Sequence, residues 1–116
     1  MTTRTKTELA QNVGLHLNLI DAEGSLESRD HDYIVKRYLD LWAEFEDDKM
    51  AYWDADAIPA VVFEALTQIM ALSVGPAFGR RVTVRDLDDG LNTFRRRIRR
   101  HTRVRSADLP AETESF

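Results

Sequence analysis

Three histidines, twenty carboxylates and sixteen lysines and arginines are the groups in this chain able to do chemistry, and their spacing decides which can act together. His16, His31 and His101 lie far apart on separate segments, so they do not make a ligand set by themselves. The stretch "DHD", residues 30–32, mixes ligand types. Adjacent residues at a helix start point in different directions, however, and acids there suit the positive end of the helix dipole, so it reads as a solvated cap. "DLDDGL", residues 86–91, has the acid density of a calcium loop. That loop needs an oxygen ligand at its fifth position, glycine at its sixth and a closing glutamate, where Gly90, Leu91 and Arg97 stand. The chain has no cysteine, no G-x-S-x-G elbow, and five glycines in neither a P-loop nor a dinucleotide fingerprint. The acidic pair Glu44/Asp48 reads as an exposed helix face. The expectations are therefore no enzyme, no metal and no cofactor.

The one concentrated chemistry is electrostatic. In "FRRRIRRHTRVR", residues 94–105, seven of twelve positions are arginine: Arg95, Arg96, Arg97, Arg99, Arg100, Arg103 and Arg105. A groove-reading helix mixes arginine and lysine with Asn, Gln or Ser for base edges, and this run has almost none of those. Arginine without lysine suits bidentate pairing with carboxylates or phosphates. Three readings stay open: a protein interface, contact with a phosphate backbone, and a solvated face. The acidic stretch "EFEDDK", residues 44–49, contains Glu44, Glu46, Asp47 and Asp48 and is an available partner, within the chain or on a neighbour. Trp42, Phe45, Tyr52 and Trp53 cluster beside it. They read as core, or as an anchor on a partner, with Trp53 the candidate interface residue.

The charge is divided along the chain. Residues 1–94 hold 9 basic and 17 acidic groups, residues 95–105 hold seven arginines and no acid, and residues 106–116 hold three acids, for a net charge of −4. An acidic body with one basic segment can bind nucleic acid, or an acidic copy of itself. With 116 residues, 43% hydrophobic and 31% charged, the chain suits one globular domain. The absence of cysteine fits a reducing compartment. "MTTRTKTELA" is too polar for a secretory signal. The longest apolar run, "AIPAVVF" at 57–63, stops at Glu64, short of the roughly 20 residues that span a bilayer, so no membrane is expected.

Four segments would position these groups. The first helix is expected over about 7–19, with Thr5 and Glu8 at capping-box spacing and Leu9, Val13, Leu17 and Ile20 on one face. Gly14 weakens it by about 1 kcal/mol relative to alanine, and "LHLNL" alternates like a strand, which leaves its end open. After a loop at 21–30, a second helix over about 30–48 carries the stripe Ile34, Tyr38, Leu41, Phe45, widened by Val35, Leu39 and Trp42. A third, about 58–74, has Pro59 in its first turn and is apolar nearly all round, with only Glu64, Thr67 and Gln68 as a polar stripe; such a helix sits at the centre. A fourth, about 84–101, pairs Thr83 with Asp86 at its cap, carries acids in its first turns and arginines in its last, and turns Leu87, Leu91, Phe94 and Ile98 inward. The fold class is thus all-α, a small four-helix bundle in one domain over 1–105, with flexible N-terminal and C-terminal extensions, the latter the tail 106–116.

Residues 33–79, "YIVKRYLDLWAEFEDDKMAYWDADAIPAVVFEALTQIMALSVGPAFG", resemble the head-to-tail adaptor (connector, head-completion) proteins of tailed bacteriophages. The shared pattern is an amphipathic helix ending in Trp and acids, an acidic connector, then a proline-started apolar helix ending at "GPAFG". "TKTELAQNVGLHLNLI" is similar to the family's first helix, so the likeness covers about residues 5–80. The resemblance implies a helical protomer in a homo-oligomeric ring, a dodecamer, beneath the portal protein. That ring would extend the DNA channel, with DNA passing through without sequence-specific binding, and would hold a tail or head-closure (stopper) protein. The implied place is the virion neck between capsid and tail, after synthesis in the host cytoplasm. In this reading the seven arginines of 95–105, Glu44, Glu46, Asp47, Asp48 and Trp53 form the subunit or portal interface. The rival is a small nucleic-acid-binding regulator with the fourth helix on phosphates, disfavoured by the missing base-reading side chains and an acidic body that repels DNA. A third is a subunit of another helical complex, such as a chaperone.

Overall fold

The computed structural model describes residues 2–107, with residues 101–107 as helical backbone. The described residues are mostly helical, with four α-helices and one two-stranded sheet among them. Local capping chemistry sets where the first helix begins. Thr5 Oγ1 accepts from the Glu8 N–H at 3.1 Å and the Glu8 carboxylate accepts from the Thr5 N–H at 3.0 Å, which starts α1 (Lys6–His16). The helix stops three residues before the expected 19, and no strand follows. Asn18 takes a left-handed φ of 59°, and Leu19 N–H and Asn18 N–H donate to Gly14 O and Leu15 O at 2.9 and 3.1 Å. This pair of bonds satisfies carbonyls the helix end would leave orphaned. Gly14 is buried under Leu26, whose Cδ2 lies 2.9 Å from where a Cβ would be, so its missing side chain is filled by the following loop.

Helix α2 (Ser28–Asp47) starts two residues earlier than expected and buries Ile34, Tyr38, Leu41 and Phe45. It ends as α1 does: Lys49 has φ 61°, while Met50 N–H and Lys49 N–H donate to Phe45 O and Glu46 O at 2.7 and 3.0 Å.

Two expectations about the ends of the chain are corrected. Residues 3–4 are not a loose extension. Thr3–Arg4 (β1) pairs antiparallel with Ile58–Pro59 (β2), Thr3 opposite Pro59 and Arg4 opposite Ile58. The Lys6 N–H also donates to Asp56 Oδ1 at 2.9 Å. The cause lies in Pro59, which disfavours helix at the residue before it, so Ile58 is extended and offers its backbone to a strand. Pro59 is accordingly the N-cap, and α3 runs Ala60–Val74 rather than from 58. At the other end α4 runs Val84–Ala107, past His101 and into Ser106 and Ala107, which were expected in the tail. No proline or glycine interrupts residues 91–107. Residues 108–116 lie outside the described residues.

Helix α3 is central, touching α1, α2 and α4, and buries nine side chains. Thr67 is among them at 1% exposure, so the expected polar stripe shrinks to Glu64 and Gln68. Its hydroxyl donates to Phe63 O at 3.1 Å and accepts from Asn12 Nδ2 at 2.8 Å. Together with the 3₁₀ turn Gly75–Phe78, α3 is long and apolar enough to cross a membrane by length and composition, at a mean hydropathy of 1.5. The run to Glu64 alone understated this. Here three helices cover that apolar surface. Helices α3 and α4 run antiparallel and meet closely at Gly90, where a Cβ would fall 2.4 Å from Leu72 Cδ1.

Lys49 holds a backbone conformation that costs an L-residue roughly 1–2 kcal/mol. Lys49→Gly should therefore stabilise the fold by about 0.5–1 kcal/mol, read as a raised urea midpoint at moderate salt, where the lost charge matters least.

Candidate interaction surface

Two side chains set the rotation of α4. Phe94 is 2% exposed and stacks on Phe45 of α2, centroids 4.9 Å apart and planes at 30°, and Ile98 is fully buried. With those inward, Arg96, Arg99 and Arg100 point to solvent. Arg97 is exposed too, and its Nη1 donates to Gln68 Oε1 at 3.3 Å, tying α4 to α3. Arg95 is half-buried and lines a cleft of about 190 Å³ between α2 and α4, with Arg37, Glu44 and Ser73 at its rim over Leu41, Phe45 and Leu91. Arg103 and Arg105 belong to the same helix, and their side chains lie outside the described residues.

The acids of α2 are equally outward. Glu44, Glu46, Asp47 and the C-cap Asp48 are all exposed, and the last turn holds no base. Their charges add to the negative end of the helix dipole. Among the described residues the ion pairs are Arg4–Glu8, Lys6–Asp56 and Arg85–Asp89, and the His31 ring approaches Asp32. None joins an arginine of α4 to an acid of α2. Among the described residues the pairing within the chain that the sequence left open is not formed, although Glu44 and Arg95 share one cleft.

Trp53 does not belong to this surface. It is 6% exposed, and its Nε1–H donates to the Tyr38 hydroxyl at 3.2 Å. The Tyr38 hydroxyl in turn donates to Ala55 O at 2.8 Å, and Trp42 Nε1–H donates to Trp53 O at 3.0 Å. The expectation of a partner-facing Trp53 is thus corrected: its indole N–H and its backbone carbonyl both pin the connector 50–57 against α2. His31 also departs from a solvated cap. Its ring is half-buried, Nδ1 lies 3.3 Å from Asp32 Oδ1, and Nε2 is buried without a hydrogen-bond partner. Among the described residues no group of three or more His, Asp or Glu could hold a metal ion.

Two contacts escaped sequence reasoning. Arg80 reaches back to Leu17 O and caps the end of α1, and the Arg4 guanidinium lies 5.1 Å from the centre of the Phe63 ring. Arg80 and Leu17 are 63 positions apart, so no local spacing marks them. The Lys6 N–H on Asp56 likewise holds that carboxyl below its ordinary range.

Burial pushes the Tyr38 phenol up to about 12, against a smaller lowering by the Trp53 hydrogen bond. The folded chain therefore keeps this proton over a range where the unfolded chain, near the ordinary value of about 10, releases it. The stabilisation is complete below pH of about 10 and is lost as pH rises toward about 12. Tyr38→Phe orphans the Trp53 N–H and the Ala55 carbonyl. It should cost about 1–3 kcal/mol at neutral pH and flatten the alkaline fall in stability, both measurable by urea denaturation across pH. No known protein family, characterised protein or solved structure matches this chain.

Proposed function

We propose that this chain is a non-enzymatic structural subunit of a tailed-phage neck, a head-to-tail adaptor folded as a four-helix bundle. The reading rests on the resemblance over residues 5–80 and on one observation in particular. Arg96, Arg99 and Arg100 are held outward, and among the described residues no ion pair joins them to an acid of the same chain. At 1.5 Å per residue α4 is about 36 Å long against about 22 Å for α3, so the arginine-bearing end has length to reach beyond the helix it packs on.

In this role the partners are copies of the chain in a ring, a dodecamer, the portal protein above and a tail or head-closure protein below, with DNA passing through. Repeating one head-to-tail contact closes such a ring when the rotation permits. Exposed ion pairs contribute about 0–1 kcal/mol each, so they set register more than affinity. Among the described residues Tyr33, Leu39, Val61 and Val84 are the exposed large apolar side chains available to add contact area.

Arg96→Glu, Arg99→Glu and Arg100→Glu together should abolish attachment to purified portal rings while circular dichroism keeps its helical signal. Unchanged attachment would overturn the reading. Duplex DNA should bind weakly and be released by about 150 mM salt, as expected for phosphate contacts alone. Micromolar or tighter binding at that salt would replace the adaptor with a nucleic-acid regulator.

A further inference from the structure

The outward side of α4 has a counterpart elsewhere on the same molecule. Positions 96, 99, 100 and 103 follow i, i+3, i+4, i+7 spacing, so the four arginines there share one helix face. That face lies opposite the buried Phe94 and Ile98. On α2, Asp40, Glu44, Asp47 and its C-cap Asp48 follow i, i+4, i+7, i+8, and all four are exposed. Each row runs about 10–12 Å along its helix, so four cationic positions match four carboxylates in length as well as in sign.

The two rows do not meet within one chain. The Phe45–Phe94 stack brings the helices together, and the α4 arginine lining the cleft between them, beside Arg37 and Glu44, is Arg95, which is not part of the row. No ion pair links the rows among the described residues. Among the described side chains both rows are therefore open, Arg96, Arg99 and Arg100 on one helix and four acids on the other. We propose that the arginine row of α4 in one copy docks on the acidic row of α2 in the next, a head-to-tail contact between identical chains.

The observations favour a second copy over nucleic acid as the occupant. A copy supplies four acids over a matching length and leaves its own arginine row open for a further copy. It also brings cations to the C-terminal end of α2, where the dipole and four acids now repel each other. A nucleic-acid backbone would neutralise the arginines alone and would face the acidic body. The inference builds on the reading of the chain as an assembly subunit and names the contact without needing a portal.

The test is sedimentation velocity of the full chain and of two variants, Arg96→Glu/Arg99→Glu/Arg100→Glu and Asp40→Arg/Glu44→Arg/Asp47→Arg. The wild type should self-associate at about 50 mM salt, with an association constant falling about tenfold or more by about 200 mM. Each variant alone presents two rows of one sign and should be monomeric. An equimolar mixture of the two should associate again, because each then offers what the other lacks. A wild type that stays monomeric at low salt, unchanged association in either variant, or a mixture that stays apart overturns the contact. So does duplex DNA that displaces the self-association at equal salt. If a variant loses its helical signal, the salt response of the wild type decides alone. Self-association without portal attachment would keep this contact and remove the adaptor reading. Portal attachment by a chain that never self-associates would do the reverse.

Discussion

A fifteen-residue helix with nine buried side chains and apolar groups on nearly every flank has to be enclosed. Burying one Leu, Ile, Val, Phe or Met side chain is worth about 1.5–3 kcal/mol, so any uncovered flank of α3 forfeits several such gains. That demand places the other elements. Helix α1 covers one side and satisfies the buried Thr67 hydroxyl of α3 through Asn12. Helix α4 covers another, close enough at Gly90 that Leu72 occupies the space of a missing side chain. Helix α2 closes the third with Ile34, Tyr38, Leu41 and Phe45.

The same demand fixes where the charges go. Once Phe94 and Ile98 turn inward, with Leu87 and Leu91 packed beside them, Arg96, Arg97, Arg99 and Arg100 are left facing solvent. Helix α2 obeys the same logic with the opposite sign: its inward stripe is apolar and its outer C-terminal positions are acids. Packing the core thus separates two complementary rows that the bare charge count would have allowed to pair. A chain of net charge −4 becomes a molecule with a basic edge and an acidic edge. This polarity makes assembly a more economical reading of the molecule than chemistry at any one side chain.

The connector between α2 and α3 is held by polar groups rather than by bulk. Tyr38, Trp42 and Trp53 exchange hydrogen bonds with one another and with the backbone of 53–55. The Asp56 carboxylate fixes the start of α1 through the Lys6 N–H. Pro59, by keeping Ile58 extended, gives the N-terminal residues a strand to join. The loop thereby becomes a scaffold for both ends of the helices it links.

Much of the helical content was legible in the residues, because its signals are local. The Thr5–Glu8 and Thr83–Asp86 boxes act over three positions, and apolar stripes repeat every three or four. The arginine run was equally plain, and so was its inward partner stripe. What could not be read locally depended on residues distant in sequence. Thr3 finds Pro59, Trp53 turns in to Tyr38, Arg80 caps Leu17, and Phe45 meets Phe94. Left-handed Asn18 and Lys49 also escaped, since neither is the glycine that usually marks such an end. Helix type, caps and buried faces follow from chemistry within a turn or two of chain. Which charges stay open, and which tryptophan is core, follow only from how separate helices compete for the surface of α3.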